Sequence, residues 1–272
     1  MHYKGGIAPI IEIGEDHSPE VALPLAIVIP AYNEEKRISG VLRELVKFIT
    51  ENHSPWHIHV VIDGDDNTSG VVERFSRSFP YITYNISTER KGKGEAIKRG
   101  AAFIDTELML ILDADNSISI QDITRHLALL ETGDVIVFSR YSKGLGVIPI
   151  HRRILSRGFN ALVRLFLDLD ITDTQSGYKV FRTSYFKEAI KQVSVTGPFY
   201  DVSLLYHLKK HGAKLIEVPT LYKHGDGSKF NSIGLTIGMG VSLLGFSVRN
   251  SRLYSITPEF LVRAYYRLFR WL

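Results

Sequence analysis

The chain has 272 residues, which is long enough for one large α/β domain or two small ones. Hydrophobic residues make up 44% and charged residues 23%, as in a globular protein, and the formal net charge of +4 favours an anionic partner such as a nucleotide, a lipid phosphate or a membrane surface. The sequence contains no cysteine, which excludes disulfides, zinc–thiolate sites and cysteine nucleophiles.

The N-terminal segment, residues 1–24, mixes apolar and charged residues without a clear period, and we interpret it as an extended arm. The stretch from Gly14 to Glu20 contains charges and a proline, which interrupt the apolar run that a secretory signal needs. We therefore expect a cytoplasmic protein.

The segment from Leu25 to Ser139 alternates apolar runs of strand length with helical repeats. The first run predicts a strand that ends at Pro30, and the apolar spacing from Ile38 to Ile49 predicts a helix capped by Asn33. Further strands are predicted at 57–62, 81–86, 108–112 and 134–139, and further helices at 69–79, 94–103 and 120–130. This alternation indicates crossover connections and a doubly wound, mostly parallel α/β sheet flanked by helices.

The pattern changes beyond Arg140. Residues 141–150 contain turn-forming glycines and a proline, and they predict a mobile loop. Helices are then predicted at 153–167 and 199–211, and strands at 178–182 and 214–218. We assign residues 25–228 to a single α/β domain.

The C-terminal segment, residues 229–272, differs from the rest of the chain. Residues 233–248 are apolar or small throughout, but this run is short of the 20 or so residues of a spanning helix. Residues 258–272 place aromatic residues among arginines, a pattern typical of an amphipathic helix at a membrane interface. The alternative is a helix that packs on the domain core or on a second subunit. We therefore expect membrane-interface or oligomerisation helices here.

An acidic pair follows the most apolar predicted strand. Asp113 and Asp115 come directly after the run from Leu108 to Leu112, where an open α/β sheet binds its ligands. Two carboxylates can hold Mg²⁺ while substrate phosphate oxygens complete its octahedron. The alternative is a solvated turn that caps the following helix, because short acidic motifs are common.

Other polar residues are predicted at the same sheet edge. Pro30, Tyr32 and Glu34 end the first strand and Asp63 ends the second, so parallel pairing gathers them near the acidic pair. Glu34 and Asp63 could accept hydrogen bonds from a ribose or a base, and Tyr32 could stack on one. Each could instead be a helix cap or a turn residue.

A glycine–lysine loop, residues 91–95, opens a predicted helix, and such a helix start favours an anion. It matches neither the Walker loop nor the dinucleotide fingerprint. Nucleotide contact through Lys93 and a solvated basic turn therefore remain alternatives.

Arginines cluster around the predicted loop after the fifth strand, with Ser156 among them. These are Arg140, Arg152, Arg153 and Arg157. Arginine binds phosphate in bidentate fashion, so this cluster could hold a phosphate acceptor. The alternative is a solvated helix face, although Arg140 lies at the same predicted edge as Asp113.

Several motifs together resemble family 2 glycosyltransferases of the GT-A fold, and within them the dolichyl-phosphate or polyprenyl-phosphate sugar synthases. They are Val-Ile-Pro-Ala-Tyr-Asn-Glu, Lys-Gly-Lys-Gly-Glu-Ala, Asp-Ala-Asp, Ser-Arg-Tyr, Asp-Thr-Gln-Ser-Gly-Tyr-Lys and Phe-Tyr-Asp-Val, in the order that family shows. The resemblance extends from Val28 to about Arg249. The forms at 173–179 and 199–202 look closer to dolichyl-phosphate glucosyltransferases than to the mannosyl enzymes.

The resemblance implies roles for individual residues. Nucleotide-sugar binding is implied for Pro30, Tyr32, Glu34, Asp63, Lys93, Asp113 and Asp115. Asp113 and Asp115 would bind Mg²⁺ or Mn²⁺, and Arg140, Arg152 and Ser156 would bind the acceptor phosphate. The catalytic residues would be Asp115, Arg140 and Asp201, of which Asp201 falls where relatives with hydroxyl acceptors keep a general base.

The sequence departs from the family pattern at some positions. Relatives commonly read Val-Asp-Asp-Gly-Ser after the second strand, where this chain has Asp63-Gly64-Asp65, and this leaves the base of the nucleotide open. Mannosyl relatives place a glutamine metal ligand after the acidic pair, where Asn116 and Ser117 stand here. His224 is a possible late ligand.

The resulting hypothesis is an inverting transfer of glucose or mannose from UDP-glucose or GDP-mannose to a dolichyl or polyprenyl phosphate. We expect a peripheral protein on the cytosolic face of a membrane, with no nucleic-acid partner and a possible homo-oligomer. A first alternative is transfer to a glycan hydroxyl with Asp201 as base. A second is a non-catalytic, membrane-associated nucleotide-sugar binder.

Overall fold

The computed structural model describes residues 23–115, 117–140, 150–194, 197–220 and 232–251. The predicted N-terminal arm up to residue 22, Asn116, the loop at 141–149, His224 and the predicted helix at 258–272 lie outside the described residues. The side chains of Arg152 and Arg153 also lie outside them.

A sheet of 7 strands forms the centre of the protein, in the order β3-β2-β1-β4-β6-β5-β7. The strands are β1 (Leu25–Tyr32), β2 (Trp56–Asp63), β3 (Ile82–Ser87), β4 (Leu108–Ile111), β5 (Val135–Ser139), β6 (Lys179–Arg182) and β7 (Leu215–Pro219). Only β6 runs antiparallel to its neighbours in this sheet. The prediction of a mostly parallel sheet is therefore confirmed. The strand order reverses between β1 and β4, where a ligand crevice is expected.

Helices cover both faces of the sheet. They are α1 (Ile38–Asn52), α2 (Thr68–Ser78), α3 (Lys93–Ala101), α4 (Ile120–Arg125), α5 (Ile150–Leu167), α6 (Thr183–Ile190), α7 (Tyr200–Lys210) and α8 (Ser232–Asn250). Alternate residues of β1 point to opposite faces, so Leu25 and Ile27 pack with α1, α2 and α4, while Ala26 and Val28 pack with α3, α5 and α7. This pattern produces one hydrophobic layer on each side of the sheet.

Pro30 does not end β1, contrary to the sequence prediction. The strand continues to Tyr32. In a strand, the main-chain N–H and C=O groups of every second residue point to the same neighbouring strand. The carbonyl of Val28 accepts a hydrogen bond from the amide of Leu112 on the β4 side, so the main-chain nitrogen of Pro30, two residues further on, also points to that side. Because β4 ends at Ile111, the missing N–H of Pro30 faces a position where no strand pairs with it, and proline is tolerated there.

Other local predictions also needed correction. Asn33 does not cap α1, which begins at Ile38; it adopts a left-handed conformation with φ 54°, and its Oδ1 accepts a hydrogen bond from the amide of Asp65 at 3.1 Å. Helix α6 was not predicted, and the predicted helix at 120–130 is divided into α4 and a 3₁₀ turn at Leu127–Glu131. These differences leave the edge that carries the acidic pair unchanged.

Helix α8 packs against α5 and buries Met239 and Leu243 in the same hydrophobic layer as α7. Phe246 of α8 lies 5.4 Å from Phe199 between ring centroids. Among the described residues, no helix combines the length and the apolar character needed to cross a membrane.

Candidate active site

The predicted nucleotide-sugar residues line one pocket at the carboxyl ends of β1, β2 and β4. This pocket has a volume of about 320 Å³. Its lining includes Pro30, Tyr32, Glu34, Asp63, Lys93, Asp113 and Asp115, together with Arg37, Arg90 and Gly92. The crossover connections therefore bring residues from four separate segments to the same edge, at the point where the strand order reverses.

Asp113 directly contacts the glycine–lysine loop. Lys93 Nζ donates to Asp113 Oδ1 at 2.6 Å, and about a third of each side chain is exposed. Burial alone would raise the pKa of Asp113, but the positive charges of Lys93, Lys179 and Arg140 hold it below its usual value. Asp113 is therefore ionised at neutral pH and able to act as a cation ligand.

Asp115 is anchored by Tyr178, the residue before β6, and by the turn that follows Asp115 itself. Tyr178 Oη donates to Asp115 Oδ1 at 2.8 Å, and the Ser117 amide donates to the same oxygen at 3.1 Å. Burial, followed by the charges of Asp115 and Asp113, raises the pKa of Tyr178 far above its usual value. Tyr178 therefore remains a hydrogen-bond donor to Asp115 at physiological pH.

The segment 173–179 contributes site residues to which sequence reasoning gave no role. At Gly177, a Cβ atom would collide with the carboxylate of Asp113, so only glycine lets the main chain pass there. Lys179 is 1% exposed and pairs with Asp201 Oδ1 at 2.6 Å. If β6 ran parallel to β4, its first residue would lie beside the start of β4, at the edge of the sheet opposite to the pocket. Its antiparallel direction instead pairs Lys179 with Ile111, at the end of β4.

Asp201 lies in the first turn of α7 and is held by the buried Lys179. The Lys179 ammonium also donates to the carbonyl of Ser176. Burial, followed by the charge of Lys93, lowers the pKa of Lys179, while Asp201 and Asp173 act in the opposite direction. The Asp201 carboxylate is therefore the counter-ion of a buried cation in this structure.

Arg140, at the end of β5, is oriented by Asp173. Asp173 Oδ2 accepts from the Arg140 amide at 2.9 Å and from Nε at 2.8 Å, and Oδ1 accepts from Nη2 at 2.8 Å. Asp173 is 0% exposed, and its own amide donates to Glu217 Oε1 at 2.8 Å. Asp173 therefore fixes the guanidinium of Arg140 at the rim. Ser156 lies on α5, where its Oγ is 3.4 Å from Asn160 Nδ2.

The part of the pocket formed by the ends of β1 and β2 also contains acids with arginine partners. Glu34 accepts from both Nε and Nη2 of Arg37 at 2.6 Å, and Asp63 pairs with Arg99. Burial raises the pKa of Glu34 against the opposing effect of Arg37, and the nearby Asp115 and Asp113 raise it further. Both carboxylates line the pocket, so each could also face a ligand.

Tyr32 presents its ring to the pocket beneath a cation. The guanidinium of Arg90 lies 4.2 Å from the centroid of the Tyr32 ring. An aromatic ring and a planar guanidinium at one pocket wall suit the flat face of a nucleobase.

The acidic pair is chemically suited to Mg²⁺ or Mn²⁺. Its ligands are hard carboxylate oxygens, and Mg²⁺ is usually held by one or two carboxylates plus substrate phosphates and water. Among the described residues, no group of three or more histidine, cysteine or acidic side chains converges as a complete metal site. The protein would therefore supply Asp113 and Asp115, and the diphosphate and water would complete the coordination.

The doubly wound, mostly parallel sheet and the acidic pair at its switch point agree with the GT-A fold that the sequence resemblance implies. Residues 26–190 match Glycosyl transferase family 2, and the chain belongs to that family.

Relatives and solved structures agree with this assignment. A dolichyl-phosphate beta-glucosyltransferase of Trichomonas vaginalis is 30% identical over 82% of this chain and 73% of its own. The enzyme of the same name from Saccharomyces cerevisiae is 26% identical over 79% and 71%. The fold is similar to that of glucosyl-3-phosphoglycerate synthase from Mycobacterium tuberculosis, solved with Mn²⁺ and UDP-glucose, at a TM-score of 0.60 and 15% identity, covering 84% of this chain and 81% of that one.

Proposed function

We propose that this chain transfers glucose from UDP-glucose to a dolichyl or polyprenyl phosphate, with inversion at the anomeric carbon. The names of the two relatives support both the sugar and the acceptor. GDP-mannose is the alternative donor, because the departure from the family pattern at Asp63-Gly64-Asp65 leaves the base of the nucleotide open.

The ion pair between Asp201 and the buried Lys179 is the observation that carries the proposal. A hydroxyl acceptor needs a positioned base to take its proton, and Asp201 stands where such a base is expected. A carboxylate that neutralises a buried ammonium is poorly placed for that task. A phosphate acceptor is already anionic near neutral pH and needs no strong base. The ion pair therefore favours a phosphate acceptor over a glycan hydroxyl.

On the donor side, the acidic pair and Lys93 surround the predicted diphosphate position. Asp113 and Asp115 would hold Mg²⁺ or Mn²⁺, which when bound offsets the charge that develops on the leaving diphosphate. Lys93 adds a positive charge from the start of α3, where amide groups also favour an anion. Glu34, Asp63 and Tyr32 would bind the nucleoside at the other end of the pocket.

On the acceptor side, Arg140 would bind the incoming phosphate and aim one oxygen at the anomeric carbon. Asp173 fixes the guanidinium in advance, so little ordering cost remains when the acceptor binds. Arg152 and Ser156 are proposed to help, on the strength of the family resemblance. Inversion then needs only a single displacement, with the acceptor opposite the departing diphosphate.

We also propose that the protein binds the cytosolic face of a membrane peripherally, because a dolichyl chain is embedded in lipid. Helix α5 presents Ile154 and Leu165 to solvent, at 64% and 75% exposure. The neighbouring α8 exposes Leu244 and Val248. These apolar side chains give the two packed helices a surface suited to an interfacial position.

A transfer assay tests the proposal directly. Purified protein is incubated with Mg²⁺ or Mn²⁺, labelled UDP-glucose or GDP-mannose, dolichyl phosphate in vesicles and a soluble glycan as the competing acceptor. We expect label from UDP-glucose to enter the organic-soluble lipid. Label in a glycan acceptor alone would support the hydroxyl-acceptor enzyme, and donor binding without transfer or hydrolysis would support the non-catalytic binder.

A further inference from the structure

Lys93 lies where the predicted cation site meets the pocket. Its Nζ donates to Asp113 Oδ1 at 2.6 Å, so one of the two proposed cation ligands is already paired with an ammonium group. A divalent cation and an ammonium at one carboxylate repel each other strongly at such short range. Lys93 and the metal ion therefore compete for Asp113.

Asp113 has little room to move its carboxylate away from Lys93. The main chain of Gly177 lies so close to its carboxylate that an added Cβ would overlap it. The amide of Leu112, the preceding residue, is bonded to the carbonyl of Val28 in β1. The main chain before Asp113 is thus fixed, and its carboxylate cannot move toward Gly177.

Lys93, in contrast, has a flexible four-carbon stem and is about a third exposed. Its backbone is fixed, because Gly94 packs so closely under the ring of Tyr200 that a Cβ there would collide with the ring. The ammonium can therefore move while its Cα stays at the pocket edge. A nucleotide diphosphate in the pocket is an anion within the same small space.

We propose that Lys93 couples metal binding to nucleotide binding by exchanging partners. Without nucleotide, the ammonium stays on Asp113 and weakens cation binding. When the diphosphate enters, Lys93 moves to it and releases Asp113 to the cation. This inference rests on the proposed function and adds the cooperativity between the two ligands, which must be reciprocal.

The test measures Mn²⁺ binding by the whole chain, by calorimetry or by the paramagnetic resonance signal of free Mn²⁺, with and without UDP. The variants are Lys93→Met and, as a matched control, Lys91→Met. Lys91 belongs to the same loop, pairs with Glu89 at 3.4 Å and is not among the residues that line the pocket. No transfer reaction is involved, so the readout is independent of activity.

In the wild type we expect weak Mn²⁺ binding that UDP strengthens. Lys93→Met should tighten Mn²⁺ binding without UDP by about fivefold or more, and should reduce the UDP-dependent gain by a similar factor. Lys91→Met should behave like the wild type. Lys93→Gln serves as a second variant, and thermal unfolding of each protein verifies that it is folded.

If Lys93→Met raised the Mn²⁺ affinity by the same factor with and without UDP, the exchange would be overturned, since Lys93 would then act only as a nearby positive charge. No change in either affinity would overturn it as well, while leaving the proposed transfer reaction intact. If the wild type binds no Mn²⁺ even with UDP, both the coupling and the metal-dependent part of the proposed function fail.

Discussion

At the scale of residues, most acids of the site already pair with a cationic side chain, either from another segment or, for Glu34, from three residues further along the chain. The pairs are Asp113 with Lys93, Asp201 with Lys179, Asp173 with Arg140, Asp63 with Arg99, and Glu34 with Arg37. Each pair offsets the charge of a carboxylate and limits the directions in which it can turn. The pocket is therefore electrostatically organised before a ligand enters.

The role of Asp201 can be tested by Asp201→Asn. The amide oxygen can still accept from Lys179, and a phosphate acceptor needs no base. We therefore expect kcat with dolichyl phosphate to fall less than about tenfold, whereas removal of a general base typically costs about 10²–10⁴-fold. Steady-state transfer assays measure this, with Asp113→Asn as the variant expected to lose nearly all activity. A hundredfold loss in Asp201→Asn would contradict this prediction, because the negative charge of Asp201 would then be required for transfer to the phosphate acceptor.

Gly177→Ala tests the close approach of main chain and carboxylate. The new methyl group has no space beside Asp113, so we expect a loss of about 1–3 kcal/mol in stability and a matching loss of Mn²⁺–UDP affinity. Urea unfolding and calorimetry measure the two effects. Gly158→Ala in α5 is the control, because no atom beyond the neighbouring residues and backbone of its own helix lies within 4 Å of the new methyl group, and helix propensity favours alanine. Unchanged affinity in Gly177→Ala would contradict the prediction.

The acids of the pocket and Lys93 were predicted from the sequence, but the ion pairs that join these acids to cations were not. Asp113 follows a strongly apolar strand, so its position at the sheet edge follows from the hydrophobic pattern alone. Lys179 carries no such signal, because a lysine at a strand start is usually exposed and only the reversed direction of β6 buries it beside Asp201. Strand direction depends on long-range pairing, which local periodicity does not encode.

At the scale of elements, α5 is apolar on two sides. Phe159 and Val163 face the core, while Ile154, Leu162 and Leu165 face solvent. A helix that is apolar beyond its core face usually has a second apolar contact. The membrane contact was predicted for the C-terminal segment alone, because the apolar residues of α5 do not by themselves show which of them face the core and which face solvent.

Leu165→Ser tests the lipid contact of α5. Burying a leucine side chain contributes about 1.5–3 kcal/mol, so we expect roughly tenfold weaker binding to vesicles that contain anionic lipid. Flotation or sedimentation with vesicles measures the bound fraction. Ile86→Ser is the matched control, since Ile86 is 54% exposed but lies on the edge strand β3, at the other end of the sheet. Equal binding of both variants would show that α5 does not contact the membrane.

At the scale of the whole molecule, the two hydrophobic layers also enclose histidines. Burial lowers the pKa of His59 to about 4, with a further contribution from His57. Burial also lowers the pKa of His207 to about 4, and Lys210 and His211 add repulsion. Both rings are therefore neutral in the folded protein at physiological pH.

These histidines predict how stability depends on pH. Their unfolded-state pKa is about 6.5, so the unfolded chain binds more protons between about pH 6.5 and 4. We expect the free energy of unfolding to be unaffected by them above this window and to fall as the pH drops through it, by on the order of 1–3 kcal/mol in total. Urea unfolding at several pH values measures the slope. His207→Phe, which suits the aromatic contacts with Tyr206 and Phe246, should flatten it.

Strand β6 stands between β4 and β5 in the middle of the sheet, and its first residue, Lys179, also holds Asp201 at the site. Because the same residue belongs to the central sheet and to the candidate site, a substitution that shifts this strand also shifts the site residues that it holds. Changes that slightly loosen this strand should impair ligand affinity before they lower the melting temperature. In a mutational survey, the centre of the protein should then tolerate fewer substitutions when scored by turnover than when scored by soluble yield.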